Sequence, residues 1–337
     1  AVDGAGNITG ASGRSACGPL GYAMVDAAHA HHVLAVTDEP EQTLPRLCIP
    51  GARIDQITRV DSLGDPTLIS SGTTAKPPDA TGQRIADMTA QVVVAAFRND
   101  PDFSFQTGAG AISLAAARTL SPLMQDAGMH GQFACGGITA PLVDMHRAGL
   151  FSELRDVQAF DVASVRSYAR DARHLGISAS DYASPARSDA VSNRLACVVL
   201  GAAEVDSDFN VNVTTTSDGR IIGGSGGHSD VAQGARLTLI TTSTTTRGGP
   251  KLVRSLRHRT TPGQSVDVVV TEKGVTFASS QWRHLENALD KAGVPVVGSD
   301  ALFAKTATLP PVHWSENKIV AVSEHRDGRV IDVIRAG

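Results

Sequence analysis

Cysteine is scarce. The chain has four, Cys17, Cys48, Cys135 and Cys197, and no two stand in C-x-x-C spacing or beside histidines as zinc ligands do. They read as reduced thiols of a cytoplasmic protein, mostly filling core space, and no metal site is expected. Long apolar runs are missing as well. Without a stretch of about 18 apolar residues, no helix is expected to span a membrane. Gly4, Gly6 and Gly10 interrupt any apolar region that a signal peptide would need. Basic runs are missing too, and the net charge is -4, which gives nucleic-acid binding no support. The opening stretch at 1–13, AVDGAGNITGASG, looks like the interior of a strand-and-turn region. The expectation is that an N-terminal portion precedes it.

What is present suits a folded enzyme. The 337 residues allow about two domains, and 42% hydrophobic with 19% charged residues supply a core. The 33 glycines follow no collagen period, so they belong in turns and in loops that approach a ligand closely. Short β-branched runs predict buried strands at Val33–Thr37, Ala196–Leu200, Leu237–Ile240, Val266–Val270, Val294–Val297 and Ile319–Val322. Helical periodicity marks Ala86–Ala96, Leu114–Met124, Val143–His146 before Gly149, and Trp282–Ala292 before Gly293. This alternation predicts an α/β fold. The stretch SSGTTAKPPDATGQ at 70–83 marks a break, giving two parts, 1–82 and 83–337. TTSTTT at 241–246 reads as a strand end entering the turn at Gly248–Pro250.

Four segments carry candidate chemistry. Gln106-Thr107-Gly108-Ala109-Gly110 precedes an Ala-rich helix, where free N–H groups face an anion. Ser113 takes the place of the third glycine of a dinucleotide fingerprint, so a plain turn is an equal alternative. Cys135-Gly136-Gly137-Ile138-Thr139 is the second. The third, Gly223 to Asp230, sets five small residues before His228 and reads as a ligand loop or a flexible hairpin. The fourth, Glu204 to Asn212, clusters carboxylates after a strand. It lacks calcium-loop spacing, so acid/base work stands against a purely structural role in orienting backbone and fixing a turn.

Together these segments resemble the citrate lyase alpha subunit family. The carrying stretches are GRSACGPLGYAMVDA at 13–27, FQTGAGAISLAAARTL at 105–120, FACGGITAPLVDMHRAGL at 133–150 and DVQAFD at 156–161. AAEVDSDFNVNV at 202–213, GGSGGHSDVAQGARLTLI at 223–240, TTPGQSVDVVVTEKGV at 260–275 and RDGRVIDVIRAG at 326–337 follow in order. The resemblance implies an α/β fold of CoA-transferase type (the NagB/RpiA/CoA-transferase group), with 1–82 the end of a partial first domain and 83–337 a complete second one. It implies transfer of acetyl for citryl on a thioester of CoA or phosphoribosyl-dephospho-CoA, carried by an acyl-carrier gamma subunit, with nothing bound covalently to this chain. A beta subunit, citrate and acetate complete the expected partners of a cytoplasmic oligomer, with no nucleic acid and no membrane.

It also implies catalytic roles for Asn210, Gly227 and His228. Substrate or CoA contacts fall to Arg14, Gln106, Gly108, Gly110, Gly136, Gly137, Gly226 and Arg247, with Arg14, His228 and Arg247 as the cations for citrate. Gly108, Gly110, Asn210, Gly226, Gly227 and His228 are expected to line one cleft. Related acetate and succinate CoA-transferases place a nucleophilic Glu in the segment matching 131–138, which here reads GQFACGGI and has none. The expected route is therefore a mixed anhydride, with Glu204 held by backbone hydrogen bonds and weakened as a nucleophile. Two stretches, Thr244–Gly249 and Phe277–Ser280, depart from the family pattern. A transferase for another carboxylate, or a non-catalytic scaffold subunit, are the alternatives. A sugar-phosphate isomerase would need an acid/base constellation that is not apparent.

Overall fold

The β-branched runs of the second half of the chain become parallel strands, and the alanine-rich periodic segments become the helices that cover them. The structure is a computed structural model describing residues 1–70, 77–184, 186–216, 220–246, 249–304, 306, 308, 318–324 and 327–335. Its described helices are α1 (Gly21–His29), α2 (Ala80–Phe97), α3 (Ala111–Asp126), α4 (Ala140–Arg147), α5 (Val162–Arg170), α6 (Ala179–Ala183), α7 (His228–Gly234), α8 (Glu286–Lys291) and α9 (Ser299–Phe303). The first strands are β1 (Leu34–Thr37), β2 (Gln56–Arg59), β3 (Ser104–Thr107), β4 (Gly131–Ile138), β5 (Phe151–Ala159), β6 (His174–Gly176), β7 (Cys197–Gly201), β8 (Glu204–Asp206) and β9 (Val211–Asn212). Then come β10 (Leu237–Thr241), β11 (Thr245–Thr246), β12 (Gly249–Pro250), β13 (Leu252–Val253), β14 (Val268–Thr271), β15 (Gly274–Phe277), β16 (Ile319–Glu324) and β17 (Val330–Arg335). No described helix is long and apolar enough to cross a membrane.

Two compact units result, and both are discontinuous. The first joins Ala1–Ala75 with His130–Val191; the second joins Lys76–Met129 with Ser192–Gly337. In the first unit β4, β5 and β6 run parallel, and β1 pairs with β2 in parallel. Phe133, Leu142, Val143, Met145, Phe151 and Leu154 are buried there. A clamp ties its two segments together. The Arg46 guanidinium donates to the carbonyls of His174 and Asp171, each at 2.5 Å, and lies 4.5 Å above the Tyr168 ring. Two charge-assisted donors plus a stacked face are what a planar guanidinium supplies and a lysine does not.

In the second unit the strands lie in the order β15-β14-β10-β7-β3, parallel except for β14 with β15. Every residue of Cys197–Leu200 and of β10 and β14 is buried, as parallel strands covered on both faces require. Helix α2 starts where Asp79 accepts the Gly82 N–H at 2.8 Å, a side-chain N-cap. Its buried stripe, Ile85, Met88, Val92 and Val93, repeats at helical spacing. Ala86 meets Ala115 and Ala116 of α3, where small side chains let the two helices approach closely.

Several sequence expectations change here. Val33–Thr37 does form a strand, but β1 alternates exposed and buried residues and is not covered on both sides. Ile319–Val322 belongs to β16, an antiparallel hairpin with β17 that is largely exposed, not a buried parallel strand. Val294–Val297 makes only an isolated bridge, Val275 to Val296. Trp282–Ala292 splits into a 3-10 turn at Ser280–Leu285 and α8. Most of the glycine-rich segment 135–139 is the end of strand β4, with a bulge at Gly136/Gly137.

Candidate active site

Parallel strands end on one edge, and there the loop residues of this sequence gather. β3 ends at Thr107, β7 at Gly201, β10 at Thr241 and β14 at Thr271. Ligands of open α/β sheets sit outside such carboxyl ends. Gly108 N–H donates to Val199 O at 2.8 Å, and a His228 ring nitrogen, Nε2, bonds Gly201 O at 3.0 Å. The 106–110 and 223–230 loops thus both meet the end of β7. A cavity of about 320 Å³ opens on this edge between the starts of α2 and α3, walled by Gly82, Ala111, Ile112, Ser243 and Glu272.

The start of α3 is built to receive an anion. Its N-cap is Gly110, with no side chain to satisfy the first N–H groups. The Thr107 and Ser113 hydroxyls, at 4% and 1% exposure, find no hydrogen-bond partner among the described residues. Gln106 is buried in β3.

The carboxylate-rich segment serves to hold a turn. Asp206 accepts from Asp208 N, Asn210 N and Leu256 N at 3.1, 2.9 and 3.3 Å, and from Asn210 Nδ2 at 3.2 Å. Asn210 Oδ1 accepts Gly263 N–H at 2.9 Å. The Asn210 amide is thus used at both ends, which makes Asn210 a positioning residue. Phe209 sits at φ 62°, a left-handed conformation costing about 1 kcal/mol outside glycine. Next to it β9 bridges Thr261, whose hydroxyl lies 2.6 Å from His228 Nδ1. One chain of bonds therefore links FNVNV, TTPG and GGHSD.

His228 is correspondingly neutral. Its Nε2 faces a carbonyl and must carry the proton, so Nδ1 accepts from Thr261. Burial lowers its pKa from 6.5 to about 4, only partly opposed by Gly201 O. It offers citrate no positive charge at pH 7, contrary to the expectation from sequence. Because the unfolded chain takes the proton first, the stability of the neutral ring is full above pH 6.5 and drains as pH falls toward 4. The loss is at most about 3 kcal/mol. Urea midpoints of wild type and His228→Gln should converge between pH 7 and pH 4.5; an unchanged gap would contradict this.

Other sequence candidates lie elsewhere. Arg14 belongs to the first unit, exposed, with its N–H on Glu39 and its guanidinium on Asp38 O at 2.9 Å. Gly136 has φ 101°, and a side chain on Gly137 would strike the Phe160 ring, so these glycines answer to the β4 bulge and its packing. Gly226 has φ 53° and Gly227 is the N-cap of α7. Arg247 lies outside the described residues. Cys135 is fully buried and its thiol is pushed far above its usual pKa by burial. Glu204 accepts from the Asn212 side-chain amide at 2.9 Å.

Sequence reasoning missed a histidine network. His174 joins Asp156 and Ser167 at 3.0 Å each, a Ser-His-Asp order with all three buried in the first unit. Asp156 also accepts Gln158 N–H at 2.9 Å and the Ser164 hydroxyl at 3.1 Å, so this is core bracing. No sequence spacing announces it.

The chain, over residues 1–336, matches the family model described as "Citrate lyase, alpha subunit (CitF)". It is 41% identical over 335 residues to the citrate lyase alpha chain of Klebsiella pneumoniae, covering 98% of this chain and 66% of that protein. It thus spans just under two thirds of that curated relative. A crystal structure described as the alpha subunit of citrate lyase in complex with citrate, from Streptococcus mutans, is similar at 39% identity and TM-score 0.91, over 99% of this chain and 66% of that one. A Pseudomonas malonate decarboxylase hetero-tetramer in complex with malonate shares the fold alone, at 14% identity and TM-score 0.60, over 85% of this chain and 59% of that one.

Proposed function

We propose that this chain, which belongs to the citrate lyase alpha subunit family, exchanges acetyl for citryl on a carrier-borne thioester. Acetyl carrier plus citrate gives citryl carrier plus acetate. The carrier is an acyl-carrier gamma subunit bearing a phosphoribosyl-dephospho-CoA thioester, and a beta subunit cleaves the citryl product, all within a cytoplasmic oligomer. The resemblance assigns 1–82 to one domain of a CoA-transferase plan and 83–337 to the other, whereas each compact unit draws on both stretches. Free CoA esters are the simplest laboratory substitute.

The observation that carries this reading is the uncapped start of α3, at the carboxyl edge of the sheet. A citrate carboxylate is ionised at pH 7 and needs no base. Its oxygen attacks the thioester carbon, the C–O bond forms, and the C–S bond breaks to release thiolate. The thiolate then attacks the citryl carbonyl of the mixed anhydride, and acetate leaves. Each tetrahedral stage carries an oxyanion, which the first N–H groups of α3 beside Gly108 and Gly110 stabilise. Gln106, Gly226 and Gly227 shape the approach, while Asn210 and His228 hold the loops in place. Arg14, Gly136, Gly137 and Arg247 are assigned by resemblance alone.

No glutamate stands in β4, and Cys135 there is buried with a raised pKa, which supports transfer without an enzyme thioester. An exchange assay with acetyl-CoA and citrate is expected to form citryl-CoA. Borohydride after acetyl-CoA treatment is expected to leave the mass of the protein unchanged. A reduced glutamate, Glu204 above all, would overturn the direct route, and absence of exchange with carrier and citrate would overturn the function.

A further inference from the structure

The exposed hairpin β16–β17 reaches toward the loops of the sheet edge through its Asp332 carboxylate. β16 gives its residues to solvent, with Ile319, Val320 and Val322 about half exposed, whereas β17 turns Ile331 inward. There the hairpin and the chain before Thr260 exchange bonds in both directions. Asp332 Oδ2 accepts the Arg259 N–H at 2.6 Å. The Arg259 guanidinium donates back to Ile331 O, from Nη2 at 2.6 Å and from Nε at 3.2 Å. The buried His258 ring lies beside the same carboxylate, with Nδ1 at 3.5 Å. Burial works against that carboxylate, yet His258 and the N–H groups of Arg259 and Val333 hold its pKa below the usual value.

The residues that follow carry this grip to the site. Thr260 and Thr261 are buried, and both N–H groups donate to Val211 O, at 2.8 and 3.0 Å. Val211 N–H returns to Thr261 O at 2.9 Å, and the Thr260 hydroxyl accepts Val213 N–H at 3.0 Å. The Thr261 hydroxyl then meets His228 Nδ1, and His228 Nε2 meets Gly201 O at the end of β7. A close-packed interior transmits a shift along such a chain because it has no slack to absorb it. Helix α9 supports the same turn from another side, with the Phe303 ring edge-on to Phe209 at 5.5 Å between centroids. Loss of the hairpin grip should therefore loosen the loops without collapsing them.

We infer that Asp332 and Arg259 are positioning residues for the sheet-edge site: through Thr261 they set the His228 ring and the loop at Gly226 and Gly227. The positioning role rests on the proposed function; the mechanical link from hairpin to loops does not.

The test follows amide deuterium uptake by mass spectrometry, together with acyl-exchange kinetics, in the full chain. Asp332→Ala is expected to raise uptake severalfold in peptides covering 209–213 and 226–231 and to leave α3 as in wild type. Its kcat should fall about tenfold with KM for acetyl-CoA little changed, because displaced positioning groups act on the chemical step. Asp332→Asn keeps an oxygen for the Arg259 N–H and should recover most of the loss. Arg329→Gln removes the exposed ion pair with Asp327 and should match wild type. If Asp332→Ala fails to fold, Arg259→Lys, which loses the fork on Ile331 O, carries the same expectations at smaller size. Wild-type uptake at 209–213 and 226–231 in a folded Asp332→Ala would overturn the link. Raised uptake with unchanged kcat would overturn the positioning role. Loosened loops in Asp332→Ala, beside a wild type that shows no acyl exchange, would sink the proposed function and leave the link standing.

Discussion

Gly263→Ala is expected to cost about 2–4 kcal/mol and about a hundredfold in acyl exchange. A Cβ there would collide with the carbonyl of Asp208 and press on Asp208 C and Phe209 C at 3.0 and 2.9 Å. Those atoms are backbone, already bent through the left-handed Phe209, so they have little room to give. Relief requires the 206–210 turn to withdraw, which breaks the Gly263 to Asn210 bond and loosens the bridge from Val211 to Thr261. Thr261 is also the partner of His228, so the disturbance reaches the end of β7. Gly223→Ala is the control, because a Cβ there meets nothing within 4 Å. Urea unfolding and the exchange assay read both variants. Equal behaviour of the two would contradict the account.

Asp206→Ala removes the acceptor shared by three backbone N–H groups and the Asn210 amide. Leaving several half-buried donors unsatisfied costs about 2–4 kcal/mol. Asp206→Asn keeps an oxygen in place and should lose about half as much. A loss below about 1 kcal/mol in the alanine variant, measured by urea unfolding, would show that water replaces the carboxylate without penalty.

Much of the second unit was legible from residue order. Ala196–Leu200 and Leu237–Ile240 are almost wholly apolar runs without a solvent face, and they became central strands. The segment 86–96 shows its helix through an apolar stripe at helical spacing. β4 was not legible, because Gly131, Gly136 and Gly137 mimic a loop while the bulge and Phe160 decide the outcome. The strand read at Val294–Val297 fails for a related reason. Only Val296 finds a sheet partner, since the segment follows Gly293 as a return from α8. At the site, FNVNV and GGHSD are visible as unusual strings, but their joining through Thr261 is a long-range bond. The charge of His228 was misjudged because burial, which no local string encodes, keeps its ring neutral.

The clamp of Arg46 on the His174 and Asp171 carbonyls has a consequence for how the polypeptide is made. Residue 46 leaves the ribosome long before residue 174, and at about 5–20 residues per second the interval lasts several seconds. During it the first seventy-odd residues lack Tyr168, whose ring lies under Arg46 and whose hydroxyl meets the buried Cys48 thiol in the finished fold. Meanwhile α2, β3 and α3 emerge and cannot finish either, since β7 and β10 come later still. Neither unit can complete in the order of synthesis. The first unit can close only once residue 191 is free, and the second only after the strands that follow it.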